Sequence, residues 1–170
     1  EKGTNRSQFF RGMVDKYSWV NFGSNCLMNE ISAAYLWGNL EMADKINFSR
    51  INIWETYYER LKELKDKKFI ELPTIPSECV HNAHMFYIKV KNLEERSKLI
   101  RYLKLNDIMS VFHYVPLHAT IAGNKFGRFS EKDKFTTTES ERLLRLPMYF
   151  SLQSEELTKI INTITKYYKI

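Results

Sequence analysis

Phe22-Gly23-Ser24-Asn25-Cys26-Leu27-Met28-Asn29-Glu30 leads into an apolar run that begins at Ile31 and ends near Ala43. Asn29 is a favourable N-cap, because its side-chain oxygen can take an N–H that the first helical turn leaves without a partner. Glu30 then falls in that first turn, at the positive end of the helix dipole. Ile31, Ala34, Tyr35, Gly38 and Met42 form one stripe at helical spacing, and Ala33, Leu36, Trp37 and Leu40 form a second. A helix that is apolar on two sides is expected to be buried on both.

The 170 residues suffice for one ordinary domain, and a hydrophobic fraction of 44% with 14% aromatics is ample to fill a core. The chain opens at Glu1 without an initiator Met, on a polar lead-in that includes Gly3, Thr4, Asn5, Arg6, Gln8, Arg11 and Gly12, and reads as a fragment of a longer protein. A net charge of +6 raises nucleic-acid binding as one reading. Lys and Arg alternate with acids along Asp44 to Lys68 and Glu94 to Lys104, however, which is the pattern of solvated helical faces. Cys26 and Cys79 make neither a disulfide framework nor a metal spacing, so a reducing cytoplasm is expected. No apolar run approaches the ~18 residues needed to cross a bilayer, and membrane insertion is not expected.

Downstream, Ile46, Ile53, Trp54, Tyr57, Tyr58, Leu61 and Leu64 recur at intervals that predict one long amphipathic helix from Asp44 to Lys65. Pro73 and Pro76 then punctuate the chain, which places a domain boundary near residue 76. Ala83 to Val90 reads as a half-exposed strand. Asn92 should cap a helix with Leu93, Leu99, Ile100 and Leu103 on its inner face. Met109 to Tyr114 predicts a second strand closed by Pro116, Gly123 to Lys134 a loop, Thr137 to Leu143 a short helix and Leu144 to Met148 a third strand. The last helix, Ser154 to Tyr168, should bury Leu157, Ile160, Ile161, Ile164 and Tyr168. The order predicts an α+β arrangement of helices on a small, mainly antiparallel sheet.

Two groups of residues could carry chemistry. In residues 1–28, Arg6 and Arg11 lie among Phe9, Phe10, Tyr17 and Trp19, a strip suited either to an ordered surface loop or to an anionic, partly apolar ligand. The histidines form two pairs, His81/His84 and His113/His118, and no Asp or Glu stands at a metalloprotease offset, so no metal site is assigned. Each imidazole serves either as a structural group or as a hydrogen-bond donor to a substrate oxygen. Pro116 stiffens the loop between His113 and His118, which could point polar groups at a ligand. Nucleophile elbows, Walker loops and dinucleotide fingerprints are absent, so hydrolase, NTPase and dinucleotide readings lack support.

The turn Gly23-Ser24-Asn25-Cys26-Leu27-Met28-Asn29-Glu30, followed by Ala33-Ala34 and Leu36-x-x-x-Leu40, resembles the G-Y-N-Y-R-M-T-E-x-Q-A-A segment of the DegT/DnrJ/EryC1/StrS aminotransferases. Glu1 to Gly12, Asn82 to Tyr87, Phe112 to His118 and Glu139 to Pro147 are similar to runs in the members that aminate dTDP-4-keto-6-deoxyhexoses for polysaccharides of the enterobacterial common antigen type. The resemblance implies a fold-type-I, α/β transferase overall, dependent on pyridoxal 5'-phosphate, with glutamate as amino donor and a homodimer as the working unit. On that basis residues 1–76 would end the cofactor domain with its dimer-forming helices, and residues 77–170 would be the small domain. In the family the Schiff-base lysine and the acidic ring partner precede the matched region, so no catalytic residue transfers, and these 170 residues alone are expected to be inactive. Asn25 matches the asparagine that reaches the cofactor phosphate of the neighbouring subunit. Ser24, Cys26 and Leu27 replace the usual Tyr, Tyr and Arg. The resemblance also makes His113, Tyr114 and His118 substrate-side candidates. The competing reading is a non-catalytic α+β module whose basic lead-in binds nucleic acid or a partner protein.

Overall fold

The computed structural model describes residues 8, 10–13, 28–130 and 132–169. Their contacts group into two units, Glu1–Ala43 and Asp44–Ile170. In the first, helix α1 spans Glu30–Glu41, and Asn29 Oδ1 accepts the Ser32 N–H at 2.9 Å, the cap expected of it. None of its residues is buried: Ile31 is 84% and Trp37 67% exposed. Within this unit the described residues do not supply the cover expected for the two apolar stripes.

The second unit begins with α2 (Ala43–Arg60), which buries Ile53, Trp54 and Tyr57. The single long helix expected here is interrupted at Leu61, where a tightened turn links Leu64 N–H to Leu61 O at 3.1 Å before α3 (Lys62–Asp66) resumes. Leu61 and Leu64 continue the buried stripe through the break. Strand β1 (Phe86–Lys89) alternates buried and half-buried residues, as a half-exposed strand should. Helix α4 (Leu93–Leu105) is capped by Asn92, whose Oδ1 accepts the Glu95 N–H at 3.0 Å. It buries Leu99 and Leu103, but Leu93, in the first turn, stays 42% exposed, and Arg96 takes a buried place on the inner face instead.

Strand β2 is only Val111–Phe112, shorter than the predicted run, because its pairing stops two residues in, at the register Val111↔Arg145 and Phe112↔Leu144. A 3-10 turn (Leu117–Ala119) and α5 (Ile121–Phe126) follow, the latter in a stretch read as loop. Thr120 caps α5 by accepting the Gly123 N–H at 2.9 Å. Then come α6 (Thr136–Arg142), β3 (Leu143–Leu146) and α7 (Ser154–Tyr167). The sheet is antiparallel with β3 between β1 and β2.

Helix α7 packs beside α4 and gives the core Leu157, Ile160, Ile161 and Ile164, each worth about 1.5–3 kcal/mol when withdrawn from water. Its start is fixed by a capping box between Gln153 and Glu156. Residues 44–76 and 77–170 share one apolar core: Tyr57, Leu61, Leu64, Ile70 and Leu72 pack with Phe86, Ile88, Leu99, Leu144 and Ile164. The boundary expected near residue 76 therefore falls inside this unit.

Candidate functional site

The alternation of a pleated strand decides which side chains share a face of the sheet. Leu144 and Leu146 of β3 enter the core, so Arg145 takes the opposite face, in register with Tyr87 of β1 and Val111 of β2. His113 follows Val111 by two residues and meets Arg145 there, with Arg145 Nη1 3.1 Å from His113 Nδ1. A guanidinium only donates, so Nδ1 must accept and neutral His113 carries its hydrogen on Nε2. The His113 ring lies against Tyr114, centroids 3.7 Å apart, and Tyr114 is 60% exposed. Both rings are thus presented at the end of an edge strand.

Helix α6 holds this loop from the side. Ser140 Oγ donates to Tyr114 O, and Arg96 Nη1 donates to Ser140 O at 2.5 Å, satisfying a carbonyl in the last turn of α6. The Arg96 guanidinium lies 4.9 Å from the Phe112 ring, a cation–π contact on the core side of the sheet. Burial pushes its pKa down, against the pull of Glu141, yet an arginine in this setting stays charged.

At the other end of α6, Asp133 Oδ2 accepts from the Thr137 hydroxyl at 2.5 Å and the Thr137 N–H at 3.1 Å, and lies 2.9 Å from His118 Nε2. The Thr137 hydroxyl above all, then its N–H and His118, hold the Asp133 carboxyl below its ordinary range. An ionised carboxylate only accepts, so His118 donates from Nε2 and leaves Nδ1 available. Phe129 closes against the His118 ring at 4.3 Å. The 3-10 turn that bears His118 rests on Gly123, where a Cβ would sit 1.8 Å from Leu117 O, so only glycine permits this approach.

The opposite side of α6 belongs to a four-membered charge network. Glu139 takes Lys89 Nζ at 2.6 Å and Arg142 Nη1 at 3.0 Å, while Glu71 accepts from Arg142 Nη2 and lies 3.5 Å from Lys89 Nζ. One short helix therefore ties the His113–His118 loop to the outer edge of β1.

Among the sequence candidates, His113 and Tyr114 come together and His118 has its own anchor at Asp133. Arg6 and Asn25 lie outside the described residues. Arg11 is exposed in the first unit. His81 is structural: its ring meets Trp54 edge-on at 4.6 Å and its Nδ1 accepts from Ala83 N–H at 3.3 Å. Among the described residues, no three His, Cys, Asp or Glu side chains gather as a metal site. Sequence reasoning did not single out Arg145, Ser140, Asp133 or Arg96. Only Arg145 left a signal, as the polar member of the alternating run Leu143-Leu144-Arg145-Leu146.

Comparison with known proteins bears on the whole chain. Residues 3–165 match the model of the DegT/DnrJ/EryC1/StrS aminotransferase family. A dTDP-3-amino-3,6-dideoxy-alpha-D-galactopyranose transaminase of Aneurinibacillus thermoaerophilus is 28% identical over 159 residues, covering 92% of this chain and 41% of the relative. A DegT DnrJ EryC1 StrS aminotransferase from Brucella abortus superposes with a TM-score of 0.78 at 27% identity, over 97% of this chain and 43% of that one. NtdA from Bacillus subtilis, solved with bound cofactor PMP, gives 0.76 at 25% identity, over 92% of this chain and 36% of its own. The chain thus spans less than half the length of each.

Proposed function

The chain belongs to the DegT/DnrJ/EryC1/StrS aminotransferase family, and we propose that it forms the C-terminal part of a pyridoxal-phosphate enzyme that transfers an amino group from glutamate to a dTDP-4-keto-6-deoxyhexose. In this reading the enzyme is cytoplasmic and homodimeric and serves surface polysaccharide synthesis. The relative from Aneurinibacillus supports a dTDP-linked sugar as the substrate class. Among the described residues, no helix is long and apolar enough to cross a membrane.

The described residues do not by themselves fit the cofactor. A Schiff base needs a lysine that can become neutral. Lys89 is the one described lysine that is not exposed, and its pKa is raised, chiefly by the hydrogen bond to Glu139. The lysine belongs to a part of the enzyme outside these residues, and Asn25 would lend its amide to the cofactor phosphate of the neighbouring subunit.

What this chain contributes is the wall that receives the sugar nucleotide. The observation that carries the assignment is the loop from His113 to His118, braced at His113 by Arg145, at Tyr114 O by Ser140 and at His118 by Asp133. Side chains held in this way meet a ligand without first losing rotamer freedom, which is how positioning groups lower the cost of binding. His113 Nε2–H and the Tyr114 hydroxyl can donate to sugar or phosphate oxygens, while His118 Nδ1 can accept from a sugar hydroxyl.

The test supplies the complete protein, and separately these 170 residues, with pyridoxal phosphate, glutamate and dTDP-4-keto-6-deoxyglucose. The complete protein should form the 4-amino sugar nucleotide and the 170 residues none. Absence of product from the complete protein would overturn the substrate assignment, and turnover by the 170 residues would overturn the placement of the lysine elsewhere.

A further inference from the structure

Arg50, Arg96 and Arg145 of the second unit stand apart from the charge networks, and whereas Arg50 and Arg96 donate to backbone carbonyls, Arg145 meets only a histidine ring among the described residues. Arg145 is half-buried at the centre of the sheet, on the face away from the core, and among the described residues no carboxylate forms an ion pair with it. Lys89 and Arg142, the other half-buried cations of this sheet edge, are each neutralised by Glu71 and Glu139. A guanidinium partly withdrawn from water with no counter-charge is costly unless something anionic arrives to meet it.

Its geometry says how. Among the described residues, the single hydrogen bond of Arg145 goes from Nη1 to His113 Nδ1. That contact fixes the plane of the guanidinium and consumes one nitrogen. It leaves Nε and Nη2, the edge whose two parallel N–H groups match the two oxygens of a carboxylate or phosphate. Tyr87 and Val111 flank it in register on the neighbouring strands, so the fork is supported from both sides.

We propose that Arg145 is the oxyanion receptor of this site, gripping a carboxylate or phosphate oxygen pair side-on through Nε and Nη2 while His113 holds it in place from Nη1. The proposal deepens the aminotransferase reading, and rests on it only for the identity of the anion: the diphosphate of the sugar nucleotide or a carboxylate of the amino donor. His113 then has a double task, as support for Arg145 through Nδ1 and as donor to the ligand through Nε2.

The experiment uses the complete protein and its Arg145→Gln and Arg145→Lys variants. Each is titrated with thymidine diphosphate and with L-glutamate, and KM is measured for both substrates. Arg145→Gln should weaken one ligand about ten- to hundredfold and leave the other within about twofold, the loss expected for a charged, two-point contact. Arg145→Lys should recover part of it, since an ammonium keeps the charge and loses the fork. Loss confined to thymidine diphosphate assigns the phosphate, and loss confined to glutamate assigns the carboxylate. Unchanged affinity for both ligands in either variant would overturn the proposal. So would equal loss of both together with a lowered unfolding temperature, the mark of a structural arginine. If Arg145→Gln fails to fold, Arg145→Lys decides alone. Failure of the wild-type protein to transaminate would fall on the functional reading, whereas the two titrations would still decide Arg145.

Discussion

Tyr57 offers the sharpest test of how the core holds the site. Its side chain is 0% exposed, its ring stacks on Phe86 at 4.9 Å, and its hydroxyl donates to Pro147 O at 2.8 Å. Pro147 directly follows β3, so this bond pins the strand that carries Arg145 to helix α2. Burial pushes the phenol far above its ordinary range, and it remains a donor at every working pH. Tyr57→Phe keeps the ring and its stacking, removes the donor, and leaves the Pro147 carbonyl without its partner. Deserting a buried acceptor costs about 1–3 kcal/mol. A chain of this size loses about 2–4 °C for each kcal/mol, so the unfolding temperature should fall by about 2–12 °C. Thermal unfolding followed by far-UV circular dichroism reads it, with a denaturant titration to check that the slope m is unchanged. An unfolding temperature equal to wild type would refute the reasoning, since it would mean the hydroxyl contributes no more than water supplies to the same carbonyl.

Two further outcomes follow from the geometry. Gly123→Ala should destabilise by about 1–3 kcal/mol, because the new Cβ meets the Leu117 backbone and the turn bearing His118 must give way; thermal unfolding measures it. The carboxyls of Glu71 and Glu139 are held below their ordinary range, principally by hydrogen bonds from Arg142 and Lys89 respectively. Their folded pKa values lie below the unfolded ones, so the stability they add is complete above about pH 4.3 and disappears as pH falls through the folded values. Glu139→Gln should flatten that acid limb in unfolding curves between about pH 7 and pH 3, and added salt should shrink the difference.

The parts of the fold that were legible in the sequence are those set by local rules. Asn29 and Asn92 cap the helices they were expected to cap, and the apolar spacing of Leu157, Ile160, Ile161 and Ile164 marks the buried face of α7. Strand β1 was readable from its strand formers and alternation, and the α+β arrangement from strands interleaved with helices. What escaped depends on partners far away in the chain. The break at Leu61 lies inside an unbroken apolar period, and α5 depends on a threonine cap and on one close approach at Gly123 that no periodicity encodes. Arg96 reads as an ordinary charged position of a helix, yet it is buried because the Phe112 ring and the Ser140 carbonyl, both distant in the chain, receive it on the core side of the sheet. The pairing of Arg145 with His113 crosses 32 residues and follows only from the register of β2 on β3. The histidine loop was visible as a stiffened, polar stretch, but its three braces were not, since each lies on a different element.

Those braces divide the labour along α6 and the strand that continues it. Within one stretch, Thr137 fastens Asp133 and with it His118, Ser140 fastens Tyr114, Glu139 and Arg142 neutralise the β1 edge, and Arg145 reaches His113. Every charge on the β1 side finds its opposite within the network. On the loop side, the Arg145 fork, the His118 Nδ1 and the Tyr114 hydroxyl make no such bond among the described residues. On the function proposed above, one guanidinium fork and two polar rings left unmatched at the end of an edge strand would suit a ligand carrying both oxyanion and hydroxyl groups, as a sugar nucleotide does.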